Sequence, residues 1–202
     1  MNAKVWAVVA LAVLSMLVSA CTATATTSTT TASSPKDAAG LGTLSAEQRR
    51  DLDEGYRDTL RRLYETTPGS RELVARAAGV LIFPRAIAAG FIVGGEFGNG
   101  ELRVNDRFAG YYRLTTGSVG WQIGAQSRAL VFLFMSPESL ANFRQNSGWS
   151  VGADASVALL KLGANGEIDI STARAPTLAF VMTNVGLMAN LTLEGTKVTR
   201  VQ

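Results

Sequence analysis

The sequence predicts an α+β fold, mainly β: a curved antiparallel sheet, partly closed barrel or sandwich, with N-terminal helices packed on it. Three observations predict it. An apolar stripe at helical spacing occupies Leu52 to Leu63, and apolar residues alternate with small or polar ones in several runs after Gly79. Those runs are short and are separated by glycine-containing turns, as antiparallel strands require. A single sheet and a two-sheet sandwich both satisfy this pattern.

The first 20 residues read as a leader outside the fold. Lys4 supplies a positive start, Val5 to Val18 are apolar except for Ser15, and small Ser19 and Ala20 follow. The apolar stretch is short for a hydrocarbon core, which needs about 20 residues. A retained membrane anchor is therefore the weaker reading. Val18-Ser19-Ala20-Cys21 resembles a bacterial lipobox, which implies that the Cys21 thiol is diacylated and the leader then removed. An ordinary secretory cut beside a stray cysteine is the alternative. Each buried methylene contributes roughly 0.8 kcal/mol, so two or three acyl chains hold firmly where one does not. Thr22 rather than aspartate follows the cysteine, which favours the outer membrane, facing the periplasm.

Residues 21–43 then read as the lipidated cysteine and a Thr/Ser/Ala-rich tether without apolar periodicity. As a coil, this tether spans roughly 25 Å on average and about 75 Å fully stretched. Residues 44–202, about 160 in number, suffice for one domain with its own core. Cys21 is the only cysteine, so no disulfide forms within that domain.

Ser45 with Gln48 forms a capping-box signature opening a helix to about Glu65. Leu52, Tyr56, Leu60 and Leu63 make its apolar stripe, and Pro68-Gly69 ends it. Ser70 is placed to cap a second helix through Ala78. Val80 to Phe83 reads as a strand stopped by Pro84, and Asn99-Gly100 as a type I′ hairpin turn. Val119, Trp121, Ile123 and Ala125 alternate as a half-buried strand, and Ala129 to Met135 is apolar throughout, as in a strand buried on both faces. Ser136-Pro137 opens a short helix to about Gln145. Trp149, Val151, Ala153, Ala155, Val157 and Leu159 share one face of a further strand. Asn165-Gly166 is a second hairpin turn returning through Ile168 and Ile170. Val185 to Leu193 is a last one-faced strand before the turn at Glu194-Gly195.

Gly94, Gly95, Gly98 and Gly100 match neither a dinucleotide fingerprint nor a phosphate loop, because a strand follows and Lys-Ser/Thr is missing. Hairpin and bulge geometry explains them better. The chain here resembles the SYLF domain family. The resemblance runs through Ala77-Ala78-Gly79-Val80-Leu81-Ile82-Phe83-Pro84, the Gly94 to Leu102 segment, and Gly120-Trp121-Gln122-Ile123-Gly124-Ala125-Gln126. It continues at Ser150 to Val157 and ends at Gly186 to Gly195. It implies a lipid-binding domain, as eukaryotic members bind phosphoinositides and some bind actin. This chain departs from them in carrying its own anchor at Cys21, and an envelope location sets actin aside. Lipid contact in the family is associated with the N-terminal helical region.

That helix supplies lipid-binding candidates Arg49, Arg50, Arg57, Arg61 and Arg62, interleaved with Glu47, Asp51, Asp53, Glu54, Asp58 and Glu65. Alternating charge also describes a solvated face of paired neighbours. Asp154 is read as a mid-strand carboxylate among small residues, needing an arginine partner or meeting a polar ligand beside Lys161. Asn184 and Asn190 are lesser candidates. With no histidine, no Gly-x-Ser-x-Gly elbow and no metal-ligand spacing, an enzyme reading has little to rest on beyond carboxylates and Ser-Lys pairs. A weak hydrolase is the third reading, and neither cofactor nor metal is expected. Losing Lys4 takes the net charge from +3 to +2, too mild for nucleic acid. The expected partners are a membrane, through Cys21, and a phospholipid. The alternative is an envelope interaction protein presenting a protein-binding surface.

Overall fold

The first helix, α1 (Ala46–Thr66), begins where its cap dictates. The Gln48 backbone N–H donates to Ser45 Oγ at 3.1 Å, and the Ser45 N–H donates to Gln48 Oε1 at 2.8 Å. In this computed structural model the described residues are 43–90, 93–119, 126–161, 168, 174–183, 186–187 and 193–201, all within the compact unit Leu41–Gln202. Of the expected stripe, Tyr56 and Leu63 are buried, while Leu52 and Leu60 are half-buried.

The second helix, α2 (Ser70–Arg76), is capped differently from the expectation. Gly69, at φ +82°, takes the cap position, and Ser70 lies inside the helix. The Ser70 hydroxyl instead donates to the carbonyls of Thr67 (2.6 Å) and Leu63 (3.2 Å), tying α2 back to α1. The third helix, α3 (Pro137–Gln145), opens with proline after the cap Ser136, as expected.

Among the described residues, nine strands form one sheet rather than a sandwich, curled as an open half-barrel with the helices packed on it. They are β1 (Gly79–Gly90), β2 (Val93–Val104), β3 (Arg107–Val119), β4 (Gln126–Phe134), β5 (Gly148–Ser150), β6 (Val157–Leu159), β7 (Thr177–Thr183), β8 (Gly186–Leu187) and β9 (Thr196–Val201). The order is β5-β9-β3-β2-β1-β4-β7-β6, with β8 pairing β7. All pairings are antiparallel except β6 with β7.

Three strand readings need correction. Pro84 does not end β1: the strand continues to Gly90, and the β1–β4 register shifts between Phe83 and Ala86, so the residue without an N–H sits where the ladder is interrupted. Asn99-Gly100 is not a turn, since both residues lie mid-strand opposite Arg113 and Tyr112. The hairpin turns at Asn105-Asp106, whose φ values of +50° and +60° are those of a type I′ turn. Gly100 is needed for packing, because a Cβ there would lie 2.5 Å from the Phe83 ring. The run from Trp149 to Leu159 is likewise broken, because Gly152 at φ +90° opens a turn between β5 and β6.

The strand expected over Val119 to Ala125 lies outside the described residues beyond Val119, as do the Asn165-Gly166 turn and most of Val185 to Leu193. The turn at Glu194-Gly195 is present, with Gly195 at φ +79°.

Alternation along β1, β4 and β7 divides two cores between the faces of the sheet. Leu81, Phe83, Leu130, Phe132, Phe134 and Val181 face one way, against Leu140 and Phe143 of α3 and Trp149. Val80, Ile82, Val131, Leu133, Phe180 and Met182 face the other, against Tyr56 and Leu63 of α1 and Leu73 of α2. The central strands are thus buried on both sides, as the uniformly apolar Ala129 to Phe134 requires. The first core is aromatic: Phe143 stacks on Phe134 with centroids 4.6 Å apart and meets Trp149 edge-on at 5.3 Å.

Candidate functional site

The arginines of α1 do not form one basic face. They go to separate places, and other elements complete each place.

Arg57 and Arg61 rim a cleft beside α1. Tyr56, Leu60 and Tyr64 of α1 line it together with Arg71 of α2, Arg103 of β2 and Asp106 of the β2–β3 turn, around about 430 Å³. A second cavity of about 440 Å³ shares Tyr56, Leu60, Tyr64, Arg103 and Asp106 and continues over Val74, Ala77 and Val80. The result is an apolar floor under an arginine and tyrosine rim. The Arg71 guanidinium lies 4.2 Å from the Tyr64 ring centroid, and that of Arg103 lies 4.3 Å from Tyr56.

Arg103 is the structural centre of this cleft. It donates to Glu101 at 2.7 Å and to Asp53, which also accepts from Arg57, so one network joins α1 to β2. Burial opposes the charge on Arg103, but the hydrogen bond and charge of Glu101 outweigh it and hold its pKa above the usual value. Burial raises the pKa of the Tyr56 phenol, against the opposing charge of Arg103, and raises that of Tyr64 against Arg71.

Arg49 belongs to a different groove, of about 760 Å³, where the start of α1, the start of β3, the end of α3 and the end of β9 meet. Thr43, Phe108, Tyr111, Tyr112, Arg144 and Arg200 share its lining. Arg49 is fixed there by two hydrogen bonds to the Leu44 carbonyl, at 2.9 and 3.0 Å. Burial raises the pKa of the Tyr112 phenol, while the charges of Arg200 and Arg144 work to lower it.

Arg62 points elsewhere, donating to the Thr183 carbonyl at 2.9 Å and lining a hollow with Pro84, Ile87 and Phe97. Arg50 is exposed and lines none of these hollows. Asp154 is not a buried strand residue. It is exposed in the turn that Gly152 opens, and its carboxylate accepts the Ser150 N–H at 2.7 Å. Lys161, also exposed, follows β6, and no hydrogen bond or ion pair joins it to Asp154 among the described residues. Cys21, Asn184 and Asn190 lie outside the described residues. No group of three or more His, Cys, Asp or Glu side chains among the described residues is arranged to hold a metal ion.

The sequence reading missed Arg71, Arg103, Arg144 and Arg200. Only Arg103 left a signal: Glu101-x-Arg103 places opposite charges on one face of a strand. The other three are brought in from separate elements by the fold alone.

Residues 115–202 match the family model Ysc84, described as Las17-binding protein actin regulator. The match is consistent with a SYLF domain. It supports a lipid- or protein-binding domain in general. The SYLF match spans the end of β3 through β9, under half of the 202 residues, and includes Arg144 and Arg200 but neither α1 nor the Ala77 to Leu102 motifs. No curated protein matches the chain.

Proposed function

We propose that this chain is a lipoprotein, cut before Cys21 and held by acyl chains at the periplasmic side of the outer membrane. Its SYLF-type domain binds phospholipid or a similar amphiphile without chemical turnover. The observation that carries the reading is the cleft beside α1. Its floor of Leu60, Val74, Ala77 and Val80 offers apolar surface, and Arg57, Arg61 and Arg71 stand at its rim. An amphiphile needs both, since its chain gains by leaving water and its phosphate gains charge-assisted hydrogen bonds from planar guanidinium groups. The SYLF match supports this reading at the level of lipid or protein binding.

Co-sedimentation of the unacylated chain from Thr22 to Gln202 tests it, using phosphatidylcholine vesicles with and without phosphatidylglycerol at low salt. The expected result is pelleting that depends on the anionic lipid and weakens in Arg57→Ala/Arg61→Ala/Arg71→Ala but not in Arg62→Ala. Equal pelleting on both vesicle types refutes it. Anchoring has its own test: Cys21→Ser is expected to leave the membrane fraction or to stay unprocessed, and unchanged fractionation refutes lipidation. Release of product from labelled phospholipid, abolished by Asp154→Asn, would sustain a hydrolase instead.

One observation favours the protein-binding alternative. Ile87 and Phe97, paired across β1 and β2, are each 38% exposed beside the Arg62 hollow. Cross-linking in intact cells discriminates, because a stoichiometric protein partner captured through this patch, without co-purifying lipid, supports that reading.

A further inference from the structure

The groove at the start of α1 differs from every other hollow described above in its charge. Glu65 and Asp106 line the cleft, and Asp51, Glu54 and Asp58 line the Arg62 hollow. Among the described residues the groove is lined by Arg49, Arg144 and Arg200 and by no acidic side chain. Four arginines elsewhere are neutralised: Arg57 by Asp53, Arg61 by Asp58, Arg103 by Glu101 and Arg128 by Glu96. Arg144 and Arg200 are exposed and have no hydrogen-bond or ion-pair partner among the described residues.

Three like charges around one hollow repel one another, and a bound anion relieves that repulsion. The groove also has fixed parts. Arg49 is clamped to the Leu44 carbonyl, and Leu44 is itself buried. Tyr112 is 3% exposed and packs on Phe143, which anchors the wall between Arg144 and Arg200. Gly110, at φ +148°, lies against Arg200, with the position of a Cβ 3.5 Å from its Nε, in ordinary contact. Phe108, 56% exposed and 4.7 Å from Tyr111 between ring centroids, adds an apolar lip.

We propose that this groove is a phosphate-binding site, separate from the cleft, in which Arg144 and Arg200 take a phosphomonoester and Arg49 with the Tyr112 hydroxyl completes the wall. Guanidinium forks match the tetrahedral oxygens of phosphate, and a dianion balances several cations better than a carboxylate does. The phosphate can belong to a lipid headgroup or to a free ester, and the Phe108 lip suits the non-polar remainder of either.

Calorimetric titration of the purified full chain in zwitterionic detergent micelles tests this, with inorganic phosphate, glycerol 3-phosphate, or phosphatidic acid doped into the micelles as probe. The expected result is saturable binding of at least one phosphate-bearing probe, weakened about tenfold by each of Arg144→Ala and Arg200→Ala. Arg50→Ala, which removes the same charge elsewhere, is expected to leave it unchanged. Binding of the soluble probes that Arg144→Ala and Arg200→Ala weaken assigns the site to a free ester, and binding of phosphatidic acid alone that they weaken assigns it to a headgroup. Binding that neither variant weakens refutes the site. No binding of any probe, or equal weakening by Arg50→Ala, overturns the proposal. Both substituted arginines are exposed, so the variants are expected to fold, and unchanged circular dichroism checks it.

Discussion

Arg128→Met is expected to be among the most damaging single substitutions in the chain. Arg128 on β4 and Glu96 on β2 meet across β1 through two parallel bonds, Nε to Oε1 at 2.6 Å and Nη2 to Oε2 at 2.5 Å. The strand between them carries Ala86 opposite Arg128 and Ala88 opposite Glu96, small enough for the two long side chains to close over it. Their side chains are only 9% and 7% exposed. Removing one partner strands a desolvated carboxylate, which costs about 3–5 kcal/mol. For a urea slope of roughly 2 kcal/mol per molar, the unfolding midpoint falls by about 1.5–2.5 M. The double variant Arg128→Met/Glu96→Leu removes both charges and is expected to recover most of that loss, because a buried pair gains little over well-packed apolar groups. A loss below about 1 kcal/mol for Arg128→Met, or a double variant no better than the single, would refute this account of the pair.

Two further predictions concern the phenols and the glycines. All four tyrosines, Tyr56, Tyr64, Tyr111 and Tyr112, have raised pKa values, with burial the largest cause in each. A phenol that holds its proton more tightly when folded adds stability that is intact below its unfolded pKa near 10 and is lost as pH rises through the folded value. Ultraviolet difference titration of the native chain is therefore expected to show no phenol ionising at the ordinary pH, and stability is expected to fall only from about pH 10 upward; one normal phenol in the native chain contradicts the burial assigned here. Gly100→Ala is expected to cost at least about 1–3 kcal/mol, since its Cβ would meet the Phe83 ring at 2.5 Å and the Ile82 carbonyl at 2.6 Å. Gly117→Ala, with no atom within 4 Å, serves as the matched control in thermal unfolding, and equal losses would show that packing is not the cause.

Local signals in the sequence were legible wherever their physics is local. The Ser45–Gln48 cap, the Ser136-Pro137 helix start and the doubly buried β4 each depend on neighbours a few residues away, and each is found in the structure. The failures arose where a residue's apparent preference was overridden, by distant packing in one case and by a neighbouring backbone turn in another. Asn99-Gly100 has the composition of a turn, yet Phe83 needs the space that Gly100 leaves. Asp154 sits in a run that alternates like a strand, but the positive φ of Gly152 turns the chain out to solvent. The candidate sites were half legible for the same reason. Arg49, Arg57 and Arg61 could be picked from α1, but α2, α3, β2 and β9 complete the two places they serve. Nothing in the sequence says that Arg144 and Arg200, 56 positions apart, share a groove.

The cleft beside α1 holds two kinds of arginine, and they should answer substitution differently. Arg57 and Arg61 pair with Asp53 and Asp58, but their side chains are 65% and 64% exposed. Exposed pairs contribute about 0–1 kcal/mol, so these two can exchange a carboxylate for a lipid phosphate at little cost. Arg103 is 14% exposed and neutralises Glu101, which is 2% exposed, so its charge is committed to the fold. Arg57→Ala/Arg61→Ala is therefore expected to leave the urea midpoint nearly unchanged while weakening anionic vesicle binding. Arg103→Ala is expected to cost about 3–5 kcal/mol through the stranded carboxylate and the lost stack on Tyr56. Measured side by side, the two variants separate recognition from architecture. If Arg57→Ala/Arg61→Ala destabilised the chain as much as Arg103→Ala while leaving vesicle binding intact, the rim arginines would be structural, and the cleft would lose the cations on which its proposed role depends.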